Sequence, residues 1–133
     1  MIKKRIGTDF FLTLNIYQSG NEIDFANVKN TKLAVVNHST GTEKTQTFTA
    51  YGNSLKFQWS SNENQEEGVF DCRVEYDRQS DSSETKLVHY IVDFPECFQI
   101  VRKSTEEGGD GIFQMTGNAY SFNTTVPEYL TLN

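Results

Sequence analysis

Two cysteines, two prolines and two histidines in 133 residues exclude a good deal. Cys72 and Cys97 are too few for a disulfide-stapled scaffold, and neither lies in the Cys-x-x-Cys spacing of zinc or dithiol chemistry. His38 and His89 form no His-x-x-x-His pair, so no metal site is readable from them. No apolar run approaches transmembrane length. After Lys3-Lys4-Arg5 the polar Thr8 and Asp9 arrive before the stretch of about seven apolar residues that a signal peptide needs. Membrane insertion and export are therefore not expected, and a reducing, cytoplasmic compartment is. Buried free thiols are the default there, and Cys72 and Cys97 pair only if their strands are neighbours.

Basic residues are also scarce. Twelve Lys and Arg stand against eighteen Asp and Glu, for a formal charge of -6. Nucleic acid is not an expected partner, because phosphate neutralisation needs clustered cations. The chain offers no nucleophile elbow, no glycine-rich phosphate loop and no histidine beside a nucleophile, so neither an enzyme nor a cofactor site is expected. Asp71, Glu75 and Asp77 share one face of a strand, but alternate residues about 6.5 Å apart are too widely spaced to hold one calcium ion without loop oxygens.

What is present is the period of a β-strand, repeated. In the stretch EEGVFDCRVEYDR, Phe70, Cys72, Val74 and Tyr76 alternate with Asp71, Arg73, Glu75 and Asp77, which separates thiol from charge onto opposite faces. Cys72 thus lacks the base or cation that activates a nucleophilic thiol. The same alternation sets Phe10, Leu12, Leu14 and Ile16 on one face of residues 9–17, and Leu55, Phe57 and Trp59 on one face of the strand after Gly52-Asn53. Further strands are predicted over 32–37, over the threonine-rich 44–51, over 86–94 and over 97–102, with Pro95 separating the last two or marking a bulge. Residues 79–84 read as a polar loop, and residues 62–67 as one helical turn at most. Seven to nine short strands with Ser, Asn and Gly turns describe one antiparallel β-sandwich over residues 1–107.

Residues 108–133 form a separate arm. Gly108-Gly109-Asp110-Gly111 breaks the pattern, and the aromatic and β-branched segment behind it is too short for its own core. It folds back as an extra strand, adds to the sheet edge of another subunit, or stays disordered. Phe113, Met115, Tyr120 and Phe122 are the candidate assembly residues. The competing class is a carbohydrate- or ligand-binding sandwich with Tyr17, Tyr51, Trp59 and Tyr90 as stacking platforms, although Trp59 shares its register with Leu55 and Phe57 and reads as core.

Glu66-x-Gly68-x-Phe70-x-Cys72 resembles the acidic-Gly-Tyr-Cys pattern of an immunoglobulin strand, but Phe70 lacks the tyrosine hydroxyl and no cysteine precedes Cys72. A longer resemblance runs through Gly7-Thr8-Asp9-Phe10, Gly52-Asn53-Ser54-Leu55-Lys56-Phe57, Glu67-Gly68-Val69-Phe70, Val92-Asp93, Cys97-Phe98-Gln99-Ile100-Val101 and Gly108-Gly109-Asp110. In this ordered set the chain resembles the immunoglobulin-like N-terminal domains of phage tail and baseplate proteins, of the baseplate-upper-protein kind found in phages and prophages of gut Bacteroides. The resemblance implies a non-enzymatic virion structural or adaptor role, such as anchoring a fibre. Its implied partners are other tail or baseplate proteins or further copies of the chain, and its implied location is the cytoplasm first and the virion afterwards. No fibre or receptor-binding region follows the sandwich, so host recognition is not expected of this chain.

Overall fold

Alternation along the chain becomes two facing sheets. A computed structural model describes residues 1–80, 83–102 and 112–119. Among these the chain is an all-β sandwich of two five-stranded sheets. One sheet runs β1 (Ile2–Arg5), β9 (Ser83–Val101), β8 (Gly68–Ser80), β4 (Lys29–Asn37), β5 (Glu43–Gln46). The other runs β10 (Ile112–Ala119), β2 (Phe10–Gln18), β7 (Ser54–Trp59), β6 (Thr49–Tyr51), with the two-residue β3 (Asn21–Glu22) also paired to β2.

Inward-facing residues of both sheets meet in one core. Leu12, Leu14, Ile16, Leu55, Phe57 and Trp59 come from one side and Leu33, Val35, Phe70, Cys72, Val74, Tyr76 and Phe98 from the other, all buried. At one end the rings of Phe10, Trp59 and Phe70 surround Phe98 at centroid distances of 5.1, 5.9 and 5.3 Å, within the range in which aromatic pairs attract beyond simple burial. At the other end Tyr76 stacks on Tyr90 at 5.5 Å and donates its hydroxyl to Oε1 of buried Gln18 at 3.1 Å, which satisfies two polar groups that would otherwise be costly to bury.

Loops are held by side chains that replace missing backbone partners. Asn64 is fully buried and donates from Nδ2 to the carbonyls of Arg5 (3.0 Å) and Thr8 (2.9 Å), while its main-chain carbonyl accepts from the Gly7 amide at 2.7 Å. That clamp holds the crossing from β1 to β2 against the turn at residues 60–64. Tyr51 pairs with Ser54 across Gly52-Asn53, and Gly52 has φ of +58°, a conformation that this tight hairpin turn requires and glycine adopts freely.

Several expectations change. The run 44–51 is two strands: β5 ends at Gln46 in one sheet and β6 begins at Thr49 in the other. Strand propensity favours both halves and carries no information on which sheet each joins; half-buried Phe48 packs on the core where the chain crosses. Of the two readings of Pro95 the bulge holds and the strand break does not, because β9 is continuous through it. The polar segment 79–84 is drawn into the β8–β9 ladder, with Gln79 opposite Leu87 and Ser80 opposite Ser83, although residues 81–82 lie outside the described residues. Two pairings are parallel, β1 with β9 and β10 with β2; neither pair is joined by a hairpin, since β1 leads into β2 of the opposite sheet and β10 follows β9 of the opposite sheet. Residues 60–64 make one turn, closed by the Asn64 amide on the Ser60 carbonyl at 2.9 Å. A 3-10 turn at Phe25–Asn27, capped by the Asp24 side chain on the Ala26 amide, was not anticipated.

Phe98→Ala removes the ring at the centre of the aromatic cluster and is expected to cost about 3–5 kcal/mol in urea denaturation; a loss below about 1 kcal/mol would contradict the packing described.

Candidate assembly interface

β10 begins from a segment that has no charge and no proline, Ile112 to Ala119. It pairs in parallel with β2 from Ile112 opposite Phe11 to Ala119 opposite Gln18. The pairing is fastened at its end, where the Ser19 amide donates to the Ala119 carbonyl at 2.6 Å and the Gly20 amide to Asn118 Oδ1 at 3.3 Å. Ala119 is buried and Met115 half-buried against the core, while Gln114, Thr116 and Asn118 are exposed. A Cβ built on Gly117 would stand 2.7 Å from the Phe94 ring and from a Val92 methyl. Glycine is therefore required there by close approach to β9, as an isolated strand glycine can signal. That signal was available in the sequence and was not used.

Of the four candidate residues, Met115 lies against the chain's own core and the backbone of Phe113 is paired to Leu12. Tyr120 and Phe122 lie outside the described residues, as does the glycine-rich break at 108–111. β10 is the outermost strand of its sheet, and among the described residues no strand pairs with its far side.

The outer face of the other sheet is charged. His89 lies between two carboxylates, Nδ1 to Asp77 Oδ1 at 2.7 Å and Nε2 to Glu75 Oε1 at 2.8 Å. Glu75 also accepts from Arg73 Nε at 3.2 Å, Arg73 reaches on to Glu43, and Asn30 donates to Asp77 at 2.8 Å. Beside this chain of contacts His38 Nδ1 meets Asp71 at 2.9 Å. These bonds hold both imidazoles above their ordinary pKa, His89 chiefly through Asp77 and His38 through Asp71. In return Glu75, chiefly through His89, and Asp77, chiefly through Asn30 and then His89, are held below theirs. Each His89 nitrogen faces a different carboxylate, an arrangement that favours the protonated imidazolium. No group of side chains suited to a metal ion is found among the described residues. Ile91 and Leu87 are exposed on the same face.

Of the four aromatic residues considered as sugar platforms, Trp59 and Tyr90 are buried, Tyr17 is half-buried and Tyr51 alone is 87 % exposed. Among the described residues no helix is long and apolar enough to cross a membrane. No protein-family model matches the chain, and no curated protein matches it.

Gly117→Val is expected to lift β10 from Val92 and Phe94, lowering stability by about 1–3 kcal/mol and speeding amide exchange in β10 and along β2; exchange confined to residue 117 would refute the close approach. The charged face predicts a pH optimum. The histidine contribution is fully present below the ordinary imidazole value of 6.5 and is lost as pH rises through the raised folded values. The carboxylate contribution is fully present above the ordinary 4.5 of Glu75 and 3.8 of Asp77 and is lost as pH falls through their lowered folded values. The melting temperature at low salt is therefore expected to peak between these limits, and His89→Gln to flatten its alkaline decline. An alkaline decline as steep in His89→Gln as in the unaltered chain would remove His89 from the account.

Proposed function

We propose that this chain is a non-enzymatic structural or adaptor module of a phage tail or baseplate assembly, joined to its neighbours by strand addition at the edge of β10. The observation that carries the reading is that edge: eight residues without charge or proline, with no strand paired on the outer side among the described residues. Isolated globular proteins usually protect such an edge with lysine, proline or a bulge, because its open amides and carbonyls are a template for another strand. The ordered resemblance from Gly7-Thr8-Asp9-Phe10 to Cys97-Phe98-Gln99-Ile100-Val101 supports the virion context. In this reading the protein is made in the cytoplasm and functions in the particle, and the immunoglobulin-like character of the sandwich belongs to the same proposal. A second copy of the chain is the partner the edge fits most simply, because identical edges related by a two-fold axis pair antiparallel.

Light scattering on the full chain over a wide concentration range tests this. A defined oligomer is expected, and Gln114→Lys with Thr116→Lys, both on exposed positions of β10, is expected to weaken association at least tenfold, or about 1.4 kcal/mol, with an unchanged melting temperature of the monomer. A chain that stays monomeric at every concentration would overturn self-association at β10, as would an oligomer indifferent to the two lysines.

A further inference from the structure

Cys72 and Cys97 lie on adjacent strands where the central ladder changes register between Phe70 and Cys72. Phe70 pairs with Phe98 and Cys72 with Phe94, so Pro95, Glu96 and Cys97 of β9 stand opposite Asp71 alone. Pro95 offers no amide to the ladder. Glu96 takes φ of +49° and donates its amide to Asp71 Oδ1 at 2.7 Å. This turn leaves Glu96 exposed and sends the next two side chains inward, Cys97 at 1 % exposure and Phe98 at 0 %. Cys72 is likewise fully buried, and both thiols are free. Hydrogen bonding toward Cys97, then burial, pushes the Cys72 thiol well above the ordinary thiol range. Both side chains enter the same core from adjacent strands, the placement that a cross-strand disulfide needs.

We propose that Cys72 and Cys97 are a redox pair that a small-molecule disulfide converts into a covalent lock across the bulge. One protein thiolate attacks a sulfur of the disulfide RSSR and displaces RS⁻, giving a mixed disulfide. The second protein thiolate then attacks the protein sulfur of that bond and displaces the other RS⁻. The two thiol protons pass to the released thiolates, so the balance is two protein thiols and RSSR giving one protein disulfide and two RSH; the protein loses the two electrons that RSSR gains. Burial makes the reaction wait for opening of the bulge, so it is slow and quickens with rising pH and with mild denaturant. Once formed, the bond fixes the strand whose Val92 and Phe94 receive Gly117 of β10, and so stiffens the seat of the edge strand. The pair stands on the register and burial of β8 and β9 and does not depend on the assembly reading.

The test uses the full chain incubated with oxidised glutathione or with dithiothreitol, then unfolded, alkylated and weighed by mass spectrometry. The oxidised chain is expected to lose both alkylatable thiols, to be two hydrogens lighter, to stay free of intermolecular disulfides and to melt about 5 °C or more higher, all reversed by dithiothreitol. Cys97→Ala, compared with its own reduced form, is expected to show no such rise. Two thiols still alkylated after incubation in mild urea would overturn the proposal. So would chains that only carry glutathione or only cross-link to one another, or an internal disulfide that does not raise the melting temperature.

Discussion

The central β8–β9 ladder is shaped by the hydrogen bond between the Asp71 carboxylate and the Glu96 amide. β9, the longest strand among the described residues, serves two different ends of the core. The bulge at residues 95–97, held open by that bond, shifts its register on β8 by two residues, which keeps the same face inward on either side and adds Cys97 to the core in place of Glu96. Before it, Tyr90, Val92 and Phe94 face inward, with Tyr90 stacked on Tyr76 and Val92 and Phe94 beneath β10. After it, Cys97, Phe98 and Ile100 face inward, and Phe98 enters the ring cluster of Phe10, Trp59 and Phe70. β1 pairs with the stretch after the bulge, Ile2 opposite Phe98 to Arg5 opposite Val101, so the first strand is placed by it too.

The two outer faces then divide the chemistry of the surface. One carries the His38, Arg73, Glu75, Asp77 and His89 contacts, a lattice of partly exposed ion pairs in which each pair is worth little and the shared partners orient one another. The other sheet ends in β10, without charge and without an outer neighbour among the described residues. Asp71 belongs to both themes. It receives the bulge amide and meets His38, so one carboxylate ties the architecture of β9 to the charged face.

Much of the fold was legible because burial in a sandwich follows period-two alternation, which is a local property. Phe10 to Ile16, Leu55 to Trp59 and Phe70 to Tyr76 declare their inward faces without reference to any other strand. The Gly52-Asn53 turn was legible for the same reason, as a local backbone requirement. The division of residues 44–51 between two sheets was not, nor were the parallel pairings of β1 and β10, because each depends on a partner remote in sequence. The candidate interface was half legible: the aromatic and β-branched character of the arm could be read directly, while the seat of Gly117 on Phe94 and Val92 joins residues more than twenty apart.

The sequence by itself determined that this protein is an all-β sandwich with inward-facing thiols and a charged face, since alternation, turn chemistry and charge are written residue by residue. Only the tertiary structure decided that Pro95 and Glu96 turn Cys97 in toward Cys72, that Asp71 holds that turn, and that β10 lies along β2 with its outer edge unpaired among the described residues. These are matters of register between strands, and register is chosen by how the whole core packs, which no single segment encodes.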